Sequence, residues 1–389
     1  MGKIYLDSNA TTPVRPEVVE KMLPFFSDKY GNASSVHSFG REARKHLEGA
    51  RKQVAGLVNA ASPDEIVFTS GGTEADNLAI KGTARALKDK GAHIITSSVE
   101  HNAVLNTCKY LEGQGYRVTY LGVDESGIID LEELESSISA DTILVSIMAA
   151  NNETGTLMPV ADIGKIAAEK GVVFHTDAVQ IAGKMPFDVE KAGAQLVSLS
   201  AHKINGPKGI GALYMKKGTK LESCQHGGHH EKKRRAGTED VPGIVGFGEA
   251  CRIAAERGPE EYGHVKRLRD RLYQRIRTEI KQTRLNGHPE KRLPNTVNVS
   301  FKYIEGESII LNLDLEGIAV STGSACTSGS LEPSHVLQSM KVEPMFLQGS
   351  VRFSLGVFNT EKDIDHVMEK LPPIVKRLRE MSPVYEPEG

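Results

Sequence analysis

An α/β fold with a mostly parallel sheet, joined to a smaller α+β unit, is predicted by three features of this 389-residue sequence. Short apolar runs alternate with helix-length stretches between residues 65 and 215. Several of those runs are continuous Val/Ile/Leu, as strands covered on both faces require. The alternation then ends at a long Arg- and Glu-rich helical stretch, beyond which strands and helices are spaced differently.

The first helix is expected over residues 39–58, where Leu47, Ala50, Val54 and Leu57 share a face and Glu48 and Lys52 form an i,i+4 pair. Strands are expected at 65–69, 93–97, 117–121, 143–148, 172–175, 195–198 and 211–215, with helices over 73–88 and 160–170. A helix over 259–281 is expected to link two units. After it, 296–301, 309–313, 319–321 and 351–354 read as strands and 361–379 as a helix. The expected division is a large domain over 15–258 and a small one formed by 1–14 with 259–389.

Composition narrows the function. Hydrophobic residues make up 39% and charged residues 25%, with a formal net charge of −2, which argues against a general nucleic-acid or membrane-surface binder. No basic stretch followed by an apolar run opens the chain, and no apolar segment nears the ~18 residues of a membrane span. A cytoplasmic protein is expected, although a processed organellar enzyme would read the same. Cys108, Cys224, Cys251 and Cys326 are widely spaced and suit neither a disulfide framework nor a self-contained zinc site.

Five polar segments follow separate expected strands, where an open α/β sheet places its ligand crevice. Ser200-Ala201-His202-Lys203 carries a lysine whose amine can condense with a carbonyl cofactor, and Ser200 and His202 can bind a phosphate; the alternative is a solvated turn lysine. Asp177 can hold a pyridine nitrogen protonated, or simply cap a helix. Ser70-Gly71-Gly72-Thr73-Glu74-Ala75-Asp76 opens a helix that can receive a phosphate, with Thr73 and Asp76 spaced as a capping box; a plain tight turn is the alternative. His101 can stack on a planar cofactor and move protons, or be structural. The loop Asn151-Asn152-Glu153-Thr154-Gly155 can donate amide hydrogen bonds, or be an ordinary turn.

These residues, with Tyr5-Leu6-Asp7-Ser8-Asn9-Ala10-Thr11-Thr12-Pro13, Gly323-Ser324-Ala325-Cys326-Thr327-Ser328 and Arg352-Phe353-Ser354-Leu355-Gly356, closely resemble the cysteine desulfurases of the NifS/IscS type. Those are class V enzymes of fold type I that depend on pyridoxal 5′-phosphate (PLP). The resemblance runs almost end to end. It implies that Lys203 joins the cofactor, that Asp177 pairs with its pyridine nitrogen and that His101 stacks on its ring as acid/base. It implies that Asn152 and Gln180 bond cofactor or substrate, and that Gly72, Thr73, Ser200 and His202 bind phosphate. Thr238, in Arg235-Ala236-Gly237-Thr238, would reach the phosphate of the partner subunit, which implies a homodimer.

The same resemblance implies that Arg352 clamps the substrate carboxylate, a planar group that a guanidinium fork matches. Cys326, within the Gly/Ser-rich stretch of about 321–334, would be the nucleophile that takes sulfur from L-cysteine. Its persulfide would be a transient ligand to an iron–sulfur centre, and an iron–sulfur scaffold would be the usual sulfur acceptor. The length of that stretch resembles the group I subtype. The chain departs from the family at Gly227-Gly228-His229-His230-Glu231-Lys232-Lys233-Arg234-Arg235, where Gly-Gly-Gly-Gln-Glu-Arg is common. His226, His229 and His230 raise metal binding, and Lys232–Arg235 an acidic partner; a solvated or subunit-facing loop is the alternative. A selenocysteine lyase, another class V enzyme and a noncatalytic docking protein are the rival readings.

Overall fold

The computed structural model describes residues 3–322 and 333–386. Its strands, in chain order, are β1 (Ile4–Tyr5), β2 (Ile66–Thr69), β3 (His93–Ser97), β4 (Arg117–Leu121), β5 (Thr142–Ser146), β6 (Val173–Asp177), β7 (Leu196–Ser200), β8 (Gly211–Met215), β9 (Thr283–Asn286), β10 (Thr296–Phe301), β11 (Ile318–Ala319) and β12 (Ser350–Ser354). The predicted fold class holds: a seven-stranded sheet in the order β2-β8-β7-β6-β5-β3-β4 forms the centre. β4, β3, β5, β6 and β7 are mutually parallel, and β8 runs antiparallel to both its neighbours. β3, β5, β7 and β8 are buried throughout, which is why Val, Ile and Leu predominate in β3, β5 and β7.

Beyond the central sheet lie the antiparallel sheet β12-β10-β9 and the parallel pair β1-β11. The main apolar cluster of the large sheet, accompanied by two smaller ones, includes Ile95, Val145, Phe174 and Val197. A second large cluster joins Ile4 and Leu6 of the N-terminal arm to Val265, Leu272, Val299, Ile309, Phe353 and Leu371. No helix among the described residues is long and apolar enough to cross a membrane.

Several expectations are corrected. Residues 309–313 lie in the helix Gly306–Leu315: Ile309 and Leu313, four apart, are buried, while Leu311 is 60% exposed. A short apolar run does not distinguish buried strand from helix, and here the i,i+4 burial decides it. The helix expected to start at Pro259 is the second half of a 39-residue helix, Val241–Glu279, with that proline inside it. β9, written in the polar residues Thr-Arg-Leu-Asn, was not anticipated. The first long helix spans Ser38–Leu57, and Glu48 is engaged by Arg51, three residues on.

The loop that departs from the family pattern is held from within. Glu231 is buried, and its carboxylate takes both Nη atoms of Arg51 (2.7 and 2.8 Å) and the Phe68 N–H (2.9 Å). Glu231, Lys232 and Lys233 all have positive φ (43, 57 and 70°), a conformation that side chains disfavour. The buried ion pair holds this strained turn against β2. Three of the four residues of the basic run following Glu231 are engaged locally: Lys232 pairs with Asp64, Arg234 donates to the Asp64 carbonyl and Arg235 pairs with Glu74. Among the described residues no group of three or more His, Cys, Asp or Glu is placed to hold a metal, so the three nearby histidines form no such centre.

Removing one partner of a buried ion pair leaves the other charge without compensation. Glu231→Ala is therefore expected to lower stability by about 3–5 kcal/mol, read as a lower urea midpoint. An unchanged midpoint would show that the pair does not hold the turn.

Candidate active site

β2, β3, β5, β6 and β7 all end on the same edge of the large sheet, and each delivers a polar residue there. β6 ends on Asp177, whose Oδ1 accepts the Val179 N–H at 2.8 Å. β7 ends on Ser200, and the following turn, Ala201–Lys203, presents His202 and Lys203. After β3, His101 caps the helix Asn102–Glu112 by accepting the Ala103 N–H on Nδ1 at 3.1 Å. β2 leads through Gly71 into the helix Gly72–Ala86, and β5 leads to Asn152.

Gly72, Thr73, His101, Asn152, Asp177, Gln180, Ser200, His202, Lys203 and Arg352 line one cavity of about 340 Å³. Thr238 is exposed and does not line this cavity. Cys326 lies outside the described residues. The expected capping box of Thr73 and Asp76 is absent: the helix starts at Gly72, one residue before Thr73, and Gly71 provides no side-chain cap. Glu74 instead reaches back to the Ser70 N–H (2.7 Å) and receives Arg235 (2.8 and 3.1 Å).

The N-terminal arm completes the site. Lys203 Nζ donates to the carbonyls of Asn9 (2.5 Å) and Ala10 (2.8 Å). Thr11 Oγ1 lies 3.1 Å from His202 Nδ1. Arg352, on β12 opposite Asn298 of β10, is buried; it donates to Asp7 Oδ1 (2.7 Å) and to the Asn152 carbonyl (3.0 Å). Sequence reasoning assigned no role to Asn9, Ala10, Asp7 or Lys184, and gave Asp76 only a capping one. The polar run Asp7–Asn9 near the N-terminus was the available signal, yet nothing local says that it crosses the sheet edge.

The electrostatics follow from burial. His101 is held below the ordinary histidine range by burial, a shift Asp177 opposes and Lys203 reinforces, so the imidazole is disposed to be neutral. With Nδ1 accepting a backbone N–H, its proton belongs on Nε2. Burial pushes the Asp177 carboxyl up, while His101, the Val179 N–H and Lys203 pull it back. Asp76 is raised by burial and then by Asp177. Its neighbour His175, 3.6 Å away, is pushed down to about 3 by burial and so forms no charged pair with it. His202 is lowered to about 4, first by burial and then by Lys203, Lys208 and Lys184.

A sheet edge gathering a lysine, a buried carboxylate and an imidazole defines a carbonyl-cofactor enzyme of the α/β class. The aminotransferase class-V family model matches residues 4–367. Cysteine desulfurase IscS of Methanosarcina thermophila is 54% identical over 385 residues, covering 99% of this chain and 95% of that protein. Cysteine desulfurase IscS of Dictyoglomus turgidum is 51% identical, covering 98% and 96%. Among solved structures, a NifS-like protein superposes with a TM-score of 0.91 at 42% identity, covering 97% of this chain and all of that one. A structure of SspA in complex with cysteine gives 0.80 at 36% identity, covering 92% and 100%. The chain belongs to the cysteine desulfurases of the aminotransferase class-V family. The cofactor of this family is PLP.

The residues present fit that group. Among the described residues, the Ser200 hydroxyl is buried with no hydrogen-bond partner, beside the start of a 15-residue helix whose first N–H groups favour an anion. A Cβ on Gly72 would come within 2.9 Å of Val179 Cγ2, so only glycine lets the backbone approach there. Asp177 is a buried carboxylate facing the cavity, suited to a protonated ring nitrogen. Ser200→Ala is expected to raise the PLP dissociation constant at least roughly tenfold, since a hydrogen bond to a charged group contributes about 1.5 kcal/mol or more. Fluorescence titration of apoprotein with PLP measures it, and an unchanged constant would remove Ser200 from the phosphate site.

Proposed function

We propose that this chain is a PLP-dependent cysteine desulfurase that converts L-cysteine to L-alanine and moves the substrate sulfur onto Cys326. The observation that carries the reading is the convergence of Lys203, Asp177, His101 and Arg352 on one cavity, in a chain 54% identical to a cysteine desulfurase. When bound, PLP supplies an electron sink that stabilises negative charge developing on the substrate. Lys203 would hold the cofactor and, as a free amine, would move protons within the cavity. Asp177 would pair with the ring nitrogen and keep it protonated, and His101, neutral with its proton on Nε2, would serve as acid/base beside the ring. Gly72, Thr73, Ser200 and His202 take the phosphate; Asn152 and Gln180 bond cofactor or substrate.

Arg352 orients the substrate through its carboxylate. Asp7 and the Asn152 carbonyl hold the guanidinium, while its Nε has no hydrogen-bond partner among the described residues. The sulfur transfer balances as follows. The Cys326 thiolate bonds to the substrate sulfur while the substrate C–S bond breaks, and that electron pair stays with carbon. A proton from Lys203 or His101 completes the methyl group of alanine, leaving a persulfide on Cys326. The other thiols are poor candidates. Cys108 is pushed up to about 12 by burial, Cys251 is raised well above the ordinary range, and burial also raises Cys224.

The same reading makes the protein a homodimer in which Thr238 reaches the phosphate of the partner subunit; its exposure outside its own cavity supports this. It places the enzyme in the cytoplasm, with an iron–sulfur scaffold or another thio-cofactor route as acceptor and the Cys326 persulfide as the transient ligand. It divides the chain into 15–258 and 1–14 with 259–389, a division supported by the second apolar cluster, which joins both ends of the chain.

Cys326→Ser is expected to keep PLP while losing nearly all alanine formation from cysteine, because serine offers no thiolate. Quantifying alanine after incubation with cysteine and a thiol acceptor tests it. Wild-type rates in this variant would take Cys326 out of the reaction.

A further inference from the structure

Lys184 is a second lysine at this site, buried where Lys203 is only half-buried, and the chemistry described so far does not use it. It is 3% exposed, and among the described residues no carboxylate lies within ion-pair distance. Lysine is seldom buried without such a partner, because desolvation disfavours the ammonium. Its Nζ donates instead to two amide oxygens, Gln180 Oε1 at 2.8 Å and Asn9 Oδ1 at 3.2 Å.

Those two contacts decide which way two amides face. The Gln180 side chain has an oxygen at one end and an NH2 at the other, and the nearby groups leave one arrangement. Its second neighbour is the Asn9 carbonyl, which only accepts, so the end facing it at 3.0 Å must be Nε2. Oε1 then faces Lys184, which has hydrogens to give in either protonation state. The same logic fixes Asn9. Oδ1 receives Lys184 and Asn295 Nδ2 (2.9 Å), so Nδ2 turns to the Asn152 carbonyl (3.1 Å) and Thr296 Oγ1 (2.8 Å). The backbone carbonyl of Asn9 is also the acceptor for Lys203.

We propose that Lys184 is a positioning residue: by donating to Oε1 it locks the orientation of the Gln180 amide and leaves Nε2 as the end that donates. The inference rests on the reading of Gln180 as a cofactor-binding residue. One Nζ serves both amide oxygens at once. Burial, with Lys203 and Arg352 nearby, lowers its pKa well below the ordinary lysine range, which eases the cost of keeping it inside without a counter-charge.

A double-mutant cycle on PLP affinity, measured by fluorescence titration of the full-length apoprotein, tests this. Lys184→Met is expected to weaken PLP binding roughly tenfold, Gln180→Ala to do the same, and Lys184→Met in the Gln180→Ala background to change it less than about twofold. Lys184→Gln, which keeps an N–H donor without the charge, is expected to stay within about threefold of wild type and carries the test if the Met variant does not fold. Equal losses from Lys184→Met in both backgrounds, or a loss in Lys184→Gln as large as in Lys184→Met, would overturn the proposal in favour of a plain charge effect. A wild-type protein that binds no PLP would instead overturn the functional reading beneath it. If Gln180→Ala binds like wild type while wild type binds PLP, the role of Gln180 fails, and this inference with it.

Discussion

The site depends on one crossing of the chain: the N-terminal arm runs over the C-terminal edge of the large sheet and gives its carbonyls to Lys203. The 2.5 and 2.8 Å contacts to Asn9 and Ala10 join the start of the sequence to a turn some two hundred residues later. The same few residues reach further. Asp7 holds Arg352, Thr11 meets His202, and the Asn9 N–H donates to Ser354 Oγ. A parallel sheet can carry polar groups on one edge, but something must fix their mutual positions. Here the arm fixes them, anchored by β1 pairing with β11 and by Leu6 in the second apolar cluster.

Burial then sets the chemistry. The sheet edge collects more acids and bases than it can ionise, and desolvation decides which of them carry charge. His175 and His202 are driven toward neutrality, and Asp76 is disposed to keep its proton beside Asp177. Neutral groups orient by hydrogen bonding without competing for charge. Charge is left to the groups with defined partners, such as Arg352 on Asp7. Lys184 belongs to the first kind: a cationic residue type used here for its hydrogens.

The sequence made the large sheet and its polar edge legible because several strands are rich in Val, Ile and Leu and because Asp177, Ser200 and Lys203 lie at or just past strand ends. Lys203, Asp177 and His101 could be placed on that edge without knowing the strand order. Two kinds of feature escaped. Short segments gave misleading local signals: 309–313 is apolar enough for a strand but buries Ile309 and Leu313 with helical spacing, and β9 is too polar to notice. Long-range contacts gave no local signal. Asn9 and Lys184 matter through what they touch across the fold, and a buried lysine looks like any other lysine in a string of letters. The loop from His229 to Arg234 shows the converse. Its charges admit an acidic partner or a plain charged face, and the fold engages Lys232 with Asp64, Arg235 with Glu74 and Glu231 with Arg51.

The central claim is that Lys203, held by the N-terminal arm, is the lysine that carries PLP. Borohydride reduction of the PLP-loaded protein followed by peptide mass mapping tests it directly. The account predicts the reduced pyridoxyl phosphate mass on the peptide containing Lys203. Its appearance on Lys184, the other lysine of the site, or on neither residue, would contradict it.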